Sequence, residues 1–301
     1  MKKSSIVTGI LSILFYLLFL LLYIQDVINE LLFLFILLIS LNFLVILFLV
    51  FRKKRDIKRE IIISTSIIFV LFCYELPLIG YYTSPSHLAY AYIEPTEALE
   101  GSGIYSIGVN QLNLENEKSK QAVEELLTKQ HIDVLSVFEV NQKIVYGIKN
   151  RQILKWLQLQ KEHSPEETKE NVALYLGHED EWLKNFLSRS DIGGDSSGLS
   201  LALSGRINQG DFQNKLTIAV TGSINKNGDV FSVGKMKEKI QITEKTGIPY
   251  MIIPSENAEE VAVIQKEINA NVEIFDVSHV DEAVQLIQDL NEKKDNNDLF
   301  N

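Results

Sequence analysis

Cysteine is almost absent from this sequence. The 301 residues include one cysteine, Cys73, so no disulfide framework can stabilise any part of the chain. The histidines, at positions 87, 131, 163, 178 and 279, form no HExxH motif and no pair at metal-ligand spacing. We therefore expect no metal ion, and any domain must be stable through its apolar core.

Motifs that bind nucleotides or activate a serine in hydrolases are also missing. The glycines around Gly193 are followed by no Walker lysine and lack the third glycine of a dinucleotide-binding loop. No serine lies in a GxSxG elbow. We expect no ATP site and no other cofactor.

Positive charge is scarce after Tyr82. That part holds 21 Lys and Arg against 34 Asp and Glu, a net charge of about −13. Phosphates would be repelled by such a surface, which argues against nucleic acid as a partner.

Long apolar runs, in contrast, fill the first eighty residues. Residues 6–24, 31–51 and 61–81 form three segments of about twenty residues, the length that crosses a hydrocarbon core of about 30 Å. The sequence therefore predicts three transmembrane helices and the lipid bilayer as a partner. Their lack of paired intramembrane charges argues against a small transporter.

The basic residues near these segments predict their orientation. Lys2 and Lys3 precede the first segment, residues 25–30 contain no base, and residues 52–59 contain six. Because basic loops stay in the cytoplasm, we expect a multi-pass protein of the cell membrane. Its amino terminus is expected in the cytoplasm and its carboxy-terminal domain outside the cell.

Strand and helix patterns alternate in the rest of the chain. Apolar runs of strand type, such as PYMIIP and VEIFDV, follow stretches with helical spacing, such as KMKEKIQITEKTG. The segment VALYL predicts a further strand, and helices are expected at 153–159 and within EDEWLKNFLSRS. This alternation indicates a mixed α/β (α+β) domain.

The stretch IGGDSSGLSLALS holds the candidate nucleophile. Ser196 lies between Gly194 and Gly198, which allow the backbone to turn sharply and expose the hydroxyl at a helix start. Backbone amides there could form an oxyanion hole. A serine hydroxyl needs a base, and a lysine shielded from water can serve, since burial favours its neutral form.

Three lysines in GKMKEKIQITEKTG are candidates for that base. At about 100° per residue, Lys237 lies about 60° from Ile240, beside the apolar stripe, whereas Lys235 lies about 140° away. Lys239 lies about 100° away on the other flank. Geometry favours Lys237 only mildly, and three surface lysines remain the alternative.

Four blocks resemble a known family in order and spacing. GGDSSG, VTGSINKNGDVFSVGKMKEKI, IPYMIIPSENAEEV and VEIFDVSHVDEAV are similar to the proteolytic domain of Lon proteases. The resemblance covers about 191–290, and it implies a Lon-type fold, peptide hydrolysis by a Ser–Lys dyad, polypeptide substrates and homo-oligomers, in that family hexamers. It assigns the nucleophile to Ser196, the base to the first lysine of KEK, Lys237, and a supporting hydroxyl to Thr221.

Two residues depart from the family's pattern. Most Lon proteases have Pro and Ala around the nucleophile, where this chain has Asp195 and Ser197. An inward carboxylate would favour a protonated lysine, and Ser197 is a rival nucleophile. The interpretation is a membrane-anchored, ATP-independent serine endopeptidase acting on unfolded or membrane-proximal segments. The alternative is a catalytically inactive binding or sensor domain with the Lon fold.

The predicted organisation has five parts. They are a membrane anchor at 1–82, a linker at 83–103, an N-terminal part of the outer domain at 104–190, a Lon-type catalytic core at 191–291 and a flexible tail at 292–301.

Overall fold

The computed structural model describes residues 3–81, 87–114, 119–151, 153, 165–178, 181–187 and 195–299. The chain divides into two compact units. The first comprises residues 1–88, 113–120 and 138–157, and the second comprises 89–112, 121–137 and 158–301. This division assigns parts of 104–190 to both units, and the boundaries of the five predicted parts stay a prediction.

The helices and strands alternate along most of the described chain. In chain order they are α1 (Lys3–Ile24), α2 (Glu30–Phe51), α3 (Arg55–Glu75), a 3-10 helix (Leu76–Tyr81), β1 (His87–Ala91), β2 (Thr96–Glu97), β3 (Ile104–Ser106), β4 (Asn110–Leu114), α4 (Lys120–Lys129), β5 (Val134–Glu139), α5 (Gln142–Lys149), α6 (Pro165–Leu176), α7 (Glu181–Leu187), α8 (Gly198–Asn208), β6 (Ile218–Val220), β7 (Ser223–Ile224), β8 (Val230–Phe231), α9 (Met236–Thr246), β9 (Tyr250–Pro254), a second 3-10 helix (Ser255–Asn257), α10 (Ala258–Ile268), β10 (Glu273–Val277) and α11 (Val280–Leu299).

Three helices of the first unit are long and apolar enough to cross a membrane. They span Ser5–Ile24, Glu30–Phe51 and Arg55–Gly80, which agrees with the three predicted segments. Many of their large apolar side chains, including Leu11, Phe35 and Val70, are more than half exposed. Such surfaces are stable when hydrocarbon surrounds them.

A buried carboxylate lies at the end of α3. Glu75 is fully buried and accepts hydrogen bonds from the Tyr16 hydroxyl at 2.6 Å, the Tyr146 hydroxyl at 3.1 Å and Lys149 Nζ at 2.5 Å. An unpaired charge there would be strongly destabilising, so Lys149 and the two hydroxyls offset the loss of water. This cluster ties α5 to α1 and to the end of α3 within the first unit.

The second unit is built on a five-stranded sheet with the order β10-β9-β6-β3-β2. β10, β9, β6 and β3 are parallel, and β2 pairs antiparallel with β3. Alternate strand residues enter two separate cores: Val220 and Ile252 pack with α8 and α11, whereas Ala219 and Met251 pack with α9 and α10. The mixed α/β fold predicted from the alternating pattern is confirmed, and both faces of the sheet are covered by helices.

Some predicted elements differ from the structure. VALYL, residues 172–176, ends helix α6 because Val172 and Leu176, four residues apart, are both buried in the core with α8. The region 83–103, predicted as a linker, contains β1 and β2, and helix α11 extends to Leu299 in the predicted tail. Helix α7 confirms the helix predicted in EDEWLKNFLSRS. Most of the helix predicted at 153–159 lies outside the described residues.

Candidate active site

Ser196 lies just before helix α8, in a turn that leaves its side chain partly accessible. The turn is closed by the amide of Gly198, which donates to the Asp195 carbonyl at 3.1 Å. The first eight residues of α8 are all buried, so the amino end of this helix is anchored in the core. The neighbouring Ser197 is 5% exposed and its Oγ is completely enclosed. Of the two adjacent hydroxyls, only that of Ser196 can meet a substrate.

The end of β6 holds this turn in place through the backbone. The amide of Gly222 donates to the Ser196 carbonyl at 2.8 Å, and the amide of Leu199 donates to the Gly222 carbonyl at 2.9 Å. The close approach of the start of α8 to β7 depends on glycine, because a Cβ at Gly198 would lie 3.1 Å from the Ile224 amide nitrogen. The Ser196 backbone is therefore fixed against the strand that leads into Gly222.

Thr221 links this turn to a buried lysine. Its hydroxyl donates to the Ser196 carbonyl at 3.3 Å and accepts a hydrogen bond from Lys239 Nζ at 2.8 Å. Thr221 is fully buried, and Lys239 is 3% exposed. A lysine amine is seldom enclosed in this way unless it has a partner, and here the described partner is a neutral hydroxyl.

The surroundings of Lys239 favour a neutral amine. Burial lowers the pKa of Lys239 to about 7, because the charged form has lost most of its water. The Asp195 carboxylate, itself 7% exposed, acts in the opposite direction and raises this pKa. The positive charge of Lys235 lowers it further. The sequence left open whether the Asp195 carboxylate points inward; the side chain is buried, and its charge favours the protonated lysine.

Lys237, the base predicted from the sequence, lies elsewhere. Its side chain is 40% exposed and its amine forms an ion pair with Glu267 of α10 at 2.5 Å. The face of α9 that turns towards β6 carries two pairs of residues four apart, Met236 with Ile240 and Lys239 with Thr243. The structure brings Ser196 and Thr221 together with Lys239, and it does not bring Lys237 to them. This geometry favours Lys239 over Lys237 as the candidate base.

Metal ligands do not gather at this site. Among the residues that the structure describes, no group of three or more His, Cys, Asp or Glu side chains could hold a metal ion. The chemistry available here is that of a hydroxyl, an amine and the backbone amides at the start of α8.

Comparison with known sequences gives this part of the chain a family. Residues 192–289 match the family model described as the Lon protease (S16) C-terminal proteolytic domain. This region is a Lon proteolytic domain. The resemblance found in the four sequence blocks is thereby confirmed, and Ser196, Thr221 and Lys239 all belong to the matched region.

Curated relatives with the name Lon protease match the same kind of segment. The protein of Rickettsia typhi is 36% identical over 69 residues, 23% of this chain and 9% of the relative. That of Lawsonia intracellularis is 33% identical over 99 residues, 31% of this chain and 11% of the relative. That of Brucella abortus is 40% identical over 68 residues, 23% of this chain and 8% of the relative. The chain spans about a tenth of the length of these relatives.

Proposed function

We propose that this chain is a membrane-anchored, ATP-independent serine endopeptidase that uses Ser196 as nucleophile and Lys239 as general base. The observation that carries the proposal is the enclosed Lys239 amine on Thr221, whose hydroxyl contacts the Ser196 carbonyl. A buried lysine with a pKa near 7 can accept a proton at physiological pH, which an exposed lysine cannot do. The match to a Lon proteolytic domain supports peptide hydrolysis as the reaction.

In the acylation step, Ser196 Oγ attacks the carbonyl carbon of the scissile peptide while Lys239 Nζ takes the hydroxyl proton. The carbonyl oxygen becomes negatively charged in the tetrahedral intermediate. Within the described residues, the amides of Ser196 and Ser197 have no intramolecular acceptor, and they lie at the positive end of α8. The C–N bond then breaks, and the protonated Lys239 returns its proton to the leaving amine.

In the deacylation step, water attacks the ester carbon while Lys239 accepts one of its protons. The ester C–O bond breaks, the acid product leaves, and the proton passes from Lys239 back to Ser196 Oγ. Thr221 positions the lysine through both steps. No nucleotide takes part, in line with the missing Walker loop, and we expect that ATP and Mg²⁺ leave the rate unchanged.

A matched pair of lysine variants tests the assignment. In the full-length chain in detergent micelles, with an unfolded, fluorescently labelled casein as substrate, we expect Lys239→Met and Ser196→Ala to lose about 10³-fold or more of kcat/KM. Lys237→Met removes the same charge from the same helix and should keep activity within about twofold, since its amine is exposed. Loss of activity in Lys237→Met with retention in Lys239→Met would overturn the assignment.

The orientation in the membrane is part of this proposal. The six basic residues at 52–59, which follow the second helix and begin the third, support a cytoplasmic amino terminus and a second unit outside the cell. From there the protease would meet unfolded or membrane-proximal polypeptides. Protease added to intact cells should remove the second unit, and protection of the second unit would reject this orientation.

The resemblance to Lon proteases also suggests a homo-oligomer, which in that family is a hexamer. Light scattering of the detergent-solubilised chain would measure its oligomeric state.

One observation favours a second candidate, a Lon-fold binding or sensor domain without turnover. The buried Asp195 carboxylate favours the protonated lysine, which cannot act as a base. A fluorophosphonate probe distinguishes the two functions, because it labels a serine only when the hydroxyl is activated. We expect labelling of the wild type and none of Ser196→Ala. An unlabelled wild type with intact fold would favour the binding domain.

A further inference from the structure

Lys235 holds an uncommon backbone conformation directly before helix α9. Its φ of 62° lies in the left-handed region, which is unfavourable for a residue with a side chain compared with glycine. Strained residues of this kind persist where surrounding contacts hold them, and they are frequent at functional sites. Lys235 lies four residues before Lys239, one helical turn from the proposed base.

The side chain of Lys235 is held by two strands of the three-stranded sheet with the order β4-β1-β5. Its Nζ lies 4.4 Å from the ring centroid of Tyr90 on β1 and donates to Gln111 Oε1 on β4 at 3.1 Å. A cation over an aromatic ring keeps its charge and much of its stabilisation even when partly removed from water. These contacts fix the position of the charge as well as that of the backbone.

The third strand of the same sheet, β5, holds Glu238, which lies three residues after Lys235. Glu238, 5% exposed, accepts a hydrogen bond from Ser136 Oγ on β5 at 2.6 Å. Tyr90, Gln111, Ser136 and α9 all belong to the second unit. The first turn of α9 is therefore attached to each strand of this sheet.

We propose that Lys235 is a positioning residue of the protease site: clamped between Tyr90 and Gln111, it fixes the first turn of α9 and places a positive charge near the Lys239 amine. This inference rests on the proposed function, because it concerns the working state of the proposed base. It assigns a role to the three-stranded sheet, which lies outside the region matched to the Lon domain.

The charges around the Lys239 amine define what Lys235 does. Asp195, on the turn before α8, favours the protonated amine, and Lys235 opposes it. Thr221 on the β6 side is neutral, Glu238 is bound to Ser136, and Lys237 is paired with Glu267 at the surface. Removing the charge of Lys235 leaves Asp195 unopposed, so the pKa of Lys239 should rise and activity should move to higher pH.

The experiment compares pH profiles of kcat/KM, from pH 6 to 10, for the full-length chain in detergent micelles with labelled casein. We expect Lys235→Gln to lose about threefold of its rate below pH 7 and to recover wild-type rates near pH 9. Lys235→Arg keeps the charge and the contact with the ring, and it should retain the wild-type profile. Lys237→Gln removes one charge from the same turn of the helix and should not move the profile.

The outcomes separate this inference from the proposed function. If the wild type is inactive, or if Lys239→Met keeps its activity, the proposed function fails. If Lys239 is required but Lys235→Gln and Lys237→Gln have the same profile, the positioning role of Lys235 is rejected. A uniform loss in Lys235→Gln at every pH, which Lys235→Arg also shows, would mean that the residue only stabilises the fold and would equally reject the role.

Discussion

Lys239 is a single amine whose environment decides whether the site can work. Its pKa of about 7 means that the neutral form, which accepts the proton of Ser196 in the proposed mechanism, is populated above neutral pH and lost as the pH falls below it. We expect kcat/KM to rise with pH through about 7 and then level off. A profile measured between pH 5 and 9 checks this expectation, and a rate independent of pH over that range would contradict it.

The carboxylate of Asp195 gives a second prediction about the Lys239 amine. Because its carboxylate stabilises the charged lysine, Asp195→Asn should lower the pKa of Lys239 and shift the rising limb of the pH profile to lower pH. The rate at pH 6 should increase several-fold while the plateau at high pH changes little. Asp211→Asn is a suitable control, since Asp211 is an exposed carboxylate paired with Arg206. If the pH profile of Asp211→Asn shifted as far as that of Asp195→Asn, a local effect of Asp195 would be refuted.

Sequence reasoning named two of the three residues that the structure brings together here. The glycines around Ser196 and the threonine that ends a strand before a glycine are local signals, and the structure brings Ser196 and Thr221 together. The choice between Lys237 and Lys239 was not local, because it depends on which flank of α9 meets β6. Ile240 alone could not define that flank. Thr243 was the missing signal, since it and Lys239 are four residues apart on the same buried face.

At the scale of elements, the amino end of β3 depends on one tight backbone contact. The Ile218 amide donates to the Gly103 carbonyl at 2.9 Å, and a Cβ at Gly103 would lie 2.2 Å from the Leu216 carbonyl oxygen. Because this neighbour is backbone, it cannot move aside without shifting β6. Gly103 also has a φ of 68°, which adds strain for any other residue.

We therefore expect Gly103→Ala to reduce the free energy of unfolding by about 3 kcal/mol or more. Gly101 is a matched control, as its φ is 82° but a Cβ there meets nothing within 4 Å. Gly101→Ala should cost only about 1 kcal/mol, from backbone conformation alone. Thermal unfolding of the two variants in detergent measures the difference, and equal losses would show that the close approach is unimportant.

Elements with clear periodicity could be predicted, and those defined by distant contacts could not. The apolar runs of β9 and β10 and the helical spacing of α9 are visible in the sequence, and all three elements form as predicted. VALYL has the composition of a strand, yet it is helical because the core packs against Val172 and Leu176 on one face. β1 and β2 are short and flanked by polar residues, so their sequence cannot be distinguished from that of a linker.

On the scale of the whole molecule, the apolar helices set how the chain must be handled. α1, α2 and α3 expose many Leu, Ile, Phe and Val side chains, and an apolar surface of this size is unfavourable in water. We expect the chain to stay in the membrane fraction in alkaline carbonate, which releases peripheral proteins, and to become soluble only with detergent. Deletion of residues 1–81 should abolish this retention. Release of the intact chain by carbonate would contradict a spanning anchor.

The hydroxyl of Thr221 has only one proton, and its direction has a consequence for the lysine. It gives that proton to the Ser196 carbonyl and receives one from the Lys239 amine, so it offers no hydrogen to the nitrogen. A neutral amine oriented in this way keeps its lone pair free of the threonine. In the proposed mechanism, the lone pair that captures the serine proton is thus kept available by the direction of the Thr221 hydroxyl, before any substrate arrives.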